Sequence, residues 1–149
     1  MVHGISLPPG QFGGANIEAL FTNSLDPSGH PYFAEIAHLE VSAHFLIQRT
    51  GEMIQFVSTD ERAWHAGVSS WCGREQCNDF SIGIELEGTD DTCYEDLQYD
   101  TLITLIAVLR NHYPSIRADA IVGHSDIAPE RKTDPGASFD WSRVRHAVQ

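Results

Sequence analysis

Between Ser81 and Glu87 apolar residues alternate with polar or small ones, placing Ile82, Ile84 and Leu86 on one face and Ser81, Gly83, Glu85 and Glu87 on the other. A period of two predicts a strand, and its apolar face predicts a central place in a sheet. Val41 to Ile47 and Met53 to Val57 are short apolar runs separated by Arg49-Thr50-Gly51-Glu52, which predicts a hairpin. The period lengthens between Glu95 and Asn111, where Tyr99, Leu102, Ile103, Ile106 and Leu109 form one helical stripe. Glu95 and Asp96 suit the positive end of that helix, and Pro114 stops it. Shorter signals predict a strand over Val2 to Ile5, a loop through Pro8-Pro9-Gly10 and Gly13-Gly14, and a helix from Asn16 to Thr22. Further on they predict a brief buried strand at Ala120 to Gly123 and a last helix, capped by Asp140, ending near Ala147. Strands mixed with helices predict an α/β or α+β fold, a mixed central β-sheet flanked by helices.

Length and composition narrow the picture. A chain of 149 residues suits one domain, 1–149, with a core of its own. A hydrophobic share of 42% with 20% charged residues excludes a disordered chain. Twenty-one acidic residues against nine basic ones give a formal charge of -12, which repels phosphate backbones and anionic lipid. No nucleic-acid or membrane partner is expected. No basic stretch leads into an apolar one at the start, and no run approaches about eighteen apolar residues, so a cytoplasmic location is expected. Three cysteines, Cys72, Cys77 and Cys93, suit a reducing compartment, with a Cys72–Cys77 bridge as the minor alternative.

Candidate chemistry concentrates between Gly123 and Gly136, a loop after a predicted strand that carries His124, Asp126, Glu130, Lys132 and Asp134. Asp134 precedes a proline, so Lys132 to Asp134 is expected to be extended, with both side chains pointing one way. Such a pair could serve a cation and a developing anion, or be a solvated surface pair; spacing leaves both open. Asp126 competes as a ligand but fits better as the N-cap of a turn through Ala128-Pro129-Glu130. Glu85 and Glu87 share a strand face that either enters a site or meets solvent, and Gly83 leaves room there for a close neighbour. Eight histidines are too many for one site. His44 reads as a hydrogen-bonded core residue, and His30, His38, His112 and His146 have no partner motif. His65, beside Trp64, could line a substrate groove. His3 carries no signal alone.

Taken together, four segments resemble the AmpD family of N-acetylmuramyl-L-alanine amidases, within the amidase and peptidoglycan-recognition-protein superfamily. They are Val2 to Gly10, Arg62 to Val68, Cys77 to Gly88, and His124 to Gly136, in that order. The resemblance implies zinc held by His3, His124 and Asp134, with a fourth position open as in catalytic zinc sites. It implies Glu85, not Glu87, as the acid/base, Asp134, not Asp126, as the ligand, Lys132 as the cationic stabiliser and Trp64 as a substrate-binding residue. The implied reaction is hydrolysis of the amide between (1,6-anhydro-)N-acetylmuramic acid and L-alanine in a soluble muropeptide during cytoplasmic peptidoglycan recycling, by a monomer. A lytic amidase acting on intact wall and a non-catalytic muropeptide-binding module are the alternatives. The full residue set speaks against the binding module, and the acidic charge with no wall-binding repeat speaks against the lytic enzyme. The chain departs from the family pattern at Ala43, where many branches carry tyrosine, at Gly4, where asparagine is common, and at Gln76, in place of an arginine. His3, two residues from the start, is expected to be prone to fraying.

Overall fold

In the computed structural model, which describes Met1 to Gln149, the predicted strands meet in one sheet. Strand β1 (Val2–Ile5) and strand β2 (Phe45–Ile47) lie on either side of the strand predicted to be central, β6 (Ile84–Glu87), and both run parallel to it. The antiparallel edge strand β3 (Met53–Gln55) completes the predicted hairpin, giving the order β1-β6-β2-β3. His3 pairs with Glu85 and Leu46 pairs with Glu85 from the other side, so all three share one face. A separate small hairpin, β4 (Ser70–Trp71) and β5 (Arg74–Glu75), has too few apolar residues to be visible in the sequence pattern.

Parallel strands need cover on both faces. Val2, Phe45, Ile47, Ile84 and Leu86 pack against the long helix α3 (Asp96–His112) and Val144 of the last helix α5 (Trp141–Ala147). The inward stripe of α3 is Tyr99, Leu102, Leu105, Ile106 and Leu109; Leu105 joins the predicted set while Ile103 is half-buried. A helix that covers three strands buries a wider face than a narrow stripe suggests. Gln98, fully buried, donates to the carbonyls of Ile47 and Glu87 and accepts from the Glu95 N–H, locking the start of α3 to β2 and β6. Asp140 caps α5 as expected, its side chain accepting from the Arg143 N–H.

Helices α1 (Asn16–Phe21) and α2 (Pro31–Ile36) cover Leu46 on the opposite face with Ile17, Leu20, Phe21 and Phe33. The pattern did not predict α2. Its start is nonetheless encoded locally, because His30 accepts from the Tyr32 N–H and Pro31 occupies the first turn. Ala43, buried in this cluster, contributes only a methyl group. The strand predicted at Ala120 to Gly123 does not form. A 3-10 turn over Ala118–Ala120 and the short helix α4 (His124–Ile127) leave too few extended residues for a ladder, and a single bridge joins Val2 to Gly123. Asp126 likewise differs from expectation: it lies inside α4 and accepts from the Gly123 N–H at 2.7 Å, capping the helix from within rather than starting a later turn. All three cysteines are free, so the Cys72–Cys77 bridge is absent.

Candidate metal centre

His3 is 0% exposed, and its strand is paired with β6 along its length. The 124–136 loop folds back on itself, with the Ser125 N–H donating to the Asp134 carbonyl and the Lys132 N–H to that of Ala128. This return brings the Asp134 carboxylate to His3 and His124. Its Oδ2 lies 3.1 Å from His124 Nδ1 and 3.5 Å from His3 Nδ1, and it also accepts from the Gly4 N–H. One ligand atom from each of the three residues falls within 4.8 Å of the others.

The donor set fits a cation. His124 Nε2 faces the Ala66 carbonyl at 3.2 Å, and because a carbonyl only accepts, Nε2 carries the proton and Nδ1 presents a lone pair. His3 Nδ1 is buried without a hydrogen-bond partner. Lone pairs from two imidazoles and a carboxylate therefore converge, an arrangement that stays repulsive until a proton or a cation lies among them. Two nitrogens and one oxygen form the ligand composition of open catalytic zinc sites. Burial pushes the His3 imidazole down to about 4, against the pull of Asp134, which keeps it neutral as a ligand must be. Burial alone would raise Asp134, but a proton or cation shared with His124 and His3 outweighs it and holds the carboxyl below its ordinary range.

Two carboxylates share the strand face beside this centre, and their partners separate them. Glu87 accepts from the backbone N–H groups of Gly13 and Arg49, and so secures the loop after β1. Glu85 is buried with Oε2 unpartnered. Burial raises its carboxyl well above the usual range, neighbouring Asp134 adds to the rise, and the charge of Lys132 opposes it. Half-buried Lys132 thus stands within electrostatic reach of Glu85. Trp64 is 55% exposed, with the Arg62 guanidinium 3.7 Å from its ring centre. It lines an open cleft with Gly67, Val68, Gln76, Ala128 and Arg131. A second groove, lined by a larger share of hydrophobic residues, lies on the α3 side of the sheet, and none of the six candidate residues lines it.

His65 does not line the groove as expected. It is buried behind His3, its ring lying over Gly83, where a Cβ would come within 2.3 Å of it. The close neighbour foreseen at Gly83 is thus an imidazole. Ala66, Asn78 and Arg131, which carry no chemical signal in the sequence pattern, also belong to the site. Asn78 accepts from the N–H groups of His65 and Ala66, while Arg131 donates to the carbonyls of Ala66 and Val68. An asparagine in the middle of a 3-10 turn, Cys77–Asp79, gives no warning of such a role.

A protonatable glutamate beside convergent metal ligands is the site chemistry of the metal-assisted hydrolases. Residues 15–137 match the N-acetylmuramoyl-L-alanine amidase family, and this chain belongs to it. The match leaves out His3, which only the fold brings to the site. The chain is 66% identical over 148 residues to the 1,6-anhydro-N-acetylmuramyl-L-alanine amidase AmpD of Enterobacter cloacae, an alignment covering 99% of this chain and 78% of that protein. The crystal structure of an AmpD superposes with a TM-score of 0.97 at 62% identity, covering 100% of this chain and 83% of that one. AmpDh3 of Pseudomonas aeruginosa, solved in complex with an anhydromuramic pentapeptide, superposes with a TM-score of 0.76 at 31% identity, over 98% of this chain and 57% of that one. The expected mixed sheet with flanking helices is the fold of this family.

Proposed function

We propose that this chain is a zinc-dependent amidase that hydrolyses the bond between 1,6-anhydro-N-acetylmuramic acid and L-alanine in soluble muropeptides, as a cytoplasmic recycling enzyme. The observation that carries the reading is the convergence of His3, His124 and Asp134 beside a buried Glu85 whose Oε2 has no partner. Relatives named for the same reaction, such as the Enterobacter cloacae protein, support the choice of substrate. No helix is long and apolar enough to cross a membrane, which accords with a substrate met in solution. Residues 1–149 act as one catalytic domain in this reading, because both large core clusters include residues of β2.

His3, His124 and Asp134 would hold the zinc, which when bound would supply a Lewis acid for the scissile carbonyl and would lower the pKa of a water to about 7. Glu85 accepts the proton of the attacking water. Its raised affinity for protons then lets it return that proton to the departing L-alanine amine. Lys132 offers its ammonium group to the oxyanion of the tetrahedral intermediate. Trp64 presents an aromatic face to the sugar or the peptide in the cleft.

The test is incubation of purified protein with 1,6-anhydro-muropeptide, with and without a chelator, followed by mass spectrometry. Release of the stem peptide, abolished by chelation and restored by zinc, is expected. Release unaffected by the chelator, or none at all, rules the proposal out.

A further inference from the structure

Each metal-facing imidazole needs its second nitrogen held in place, and the two are held differently. His124 donates directly to the Ala66 carbonyl. His3 Nε2 lies 2.9 Å from His65 Nδ1, a contact between two rings that either could donate. The ambiguity ends further along the chain of bonds. His65 Nε2 lies 3.4 Å from Ser81 Oγ, and Ser81 Oγ lies 2.6 Å from the Cys77 carbonyl. A carbonyl only accepts, so Ser81 donates to it and is left to accept from His65 Nε2–H. A neutral imidazole carries one proton, so His65 Nδ1 is an acceptor. His3 then carries its proton on Nε2, and its Nδ1 lone pair faces Asp134 and the metal position.

We propose that His65 is a positioning residue for the metal ligand His3: by accepting the Nε2 proton it dictates that His3 presents Nδ1 to the metal, and Ser81 holds His65 in that role. The direction is set by one backbone carbonyl three groups away. The neighbouring residue, Ala66, serves His124 in the same manner, so the two-residue segment His65–Ala66 orients both imidazoles. It is pinned for the purpose by Asn78 at 3.0 and 2.8 Å and by Arg131 at 2.7 Å. Gly83 completes the arrangement, since only a residue without Cβ lets the His65 ring lie against the strand.

The inference rests on the triad holding a metal, and it is tested without substrate. Zinc affinity is measured by competition with a chromophoric chelator for the wild type, His65→Leu and His65→Asn, with folding followed by circular dichroism. Outer-shell partners of this kind are worth about 10–100-fold in metal affinity, so His65→Leu is expected to weaken zinc binding by that factor. His65→Asn keeps an acceptor oxygen near the place of Nδ1 and is expected to stay within about threefold of wild type. Long-range nitrogen–proton NMR of the metal-free wild type is expected to find His3 and His65 both protonated on Nε2. In Ser81→Ala, which alters a half-buried side chain and keeps the test open if His65→Leu fails to fold, His65 is expected to become a mixture of tautomers. Undiminished zinc binding by His65→Leu, an equal loss in the asparagine variant, or His3 protonated on Nδ1 in the wild type overturns the proposal. A wild type that binds no zinc overturns instead the metal reading on which it rests.

Discussion

Glu85 sits on a buried strand and Lys132 on a loop within electrostatic reach of it. Glu85 binds its proton more tightly in the folded chain than in the unfolded one. A raised carboxyl stabilises the fold fully below its unfolded value of 4.5, and that contribution is lost as pH rises through the folded value. At neutral pH burial of this carboxyl therefore costs the fold stability. Glu85→Gln is expected to lower turnover by about 10²–10⁴-fold while leaving the metal-free protein at least as stable in urea at pH 7. A variant less stable than wild type would mean that Glu85 has a stabilising partner. Lys132→Met should reduce kcat by about a hundredfold with zinc still bound, the usual effect of losing one oxyanion contact. Near-normal turnover in that variant removes Lys132 from the mechanism.

At the scale of elements, strand β6 has a different task on each face. Ile84 and Leu86 meet α3, while Gly83, Glu85 and Glu87 meet His65, the metal centre and the loop after β1 in turn. A Gly83→Ala change leaves the apolar face untouched and drives a methyl group into the His65 ring. It should weaken zinc binding, measured by calorimetric titration, far more than it lowers the melting temperature of the metal-free chain. Equal zinc affinity in the variant would show that His65 can move without consequence for His3. His44 illustrates the structural counterpart just before β2, accepting from Gly83 N–H at 3.0 Å and donating to the Glu61 carbonyl at 3.0 Å.

The whole molecule keeps three imidazoles neutral by burying them. Burial lowers His3 to about 4 and also lowers His44 and His65 below their ordinary 6.5. Below pH 6.5 the unfolded chain binds protons that the folded chain refuses, so stability present above that pH is lost as pH falls towards 4. The metal-free protein is expected to melt at steadily lower temperature from pH 6.5 to pH 5. Zinc should raise the melting temperature at pH 7 by mass action, and the gain should shrink on acidification as protons compete for the ligands. Scanning calorimetry with and without chelator checks both, and a metal-free melting temperature constant over that range contradicts the first.

Periodicity and punctuation along the chain determined the principal elements, because each buries a repeating face and is bounded by its own capping or breaking residues. The alternation around Ile84, the hairpin about Gly51 and the stripe of α3 are of this kind. The short pieces α2, β4 and β5 were not legible, being too brief to carry a period. For the site, motif resemblance named His3, His124, Asp134, Glu85 and Lys132, although spacing alone could not choose between Glu85 and Glu87 or between Asp126 and Asp134. Tertiary structure separated those pairs by what each carboxylate touches: backbone N–H groups for Glu87 and Asp126, a bare oxygen for Glu85, two imidazoles for Asp134. It alone decided the role of His65, because a tautomer depends on partners 62 and 16 residues away, and no local pattern records contacts made across the fold.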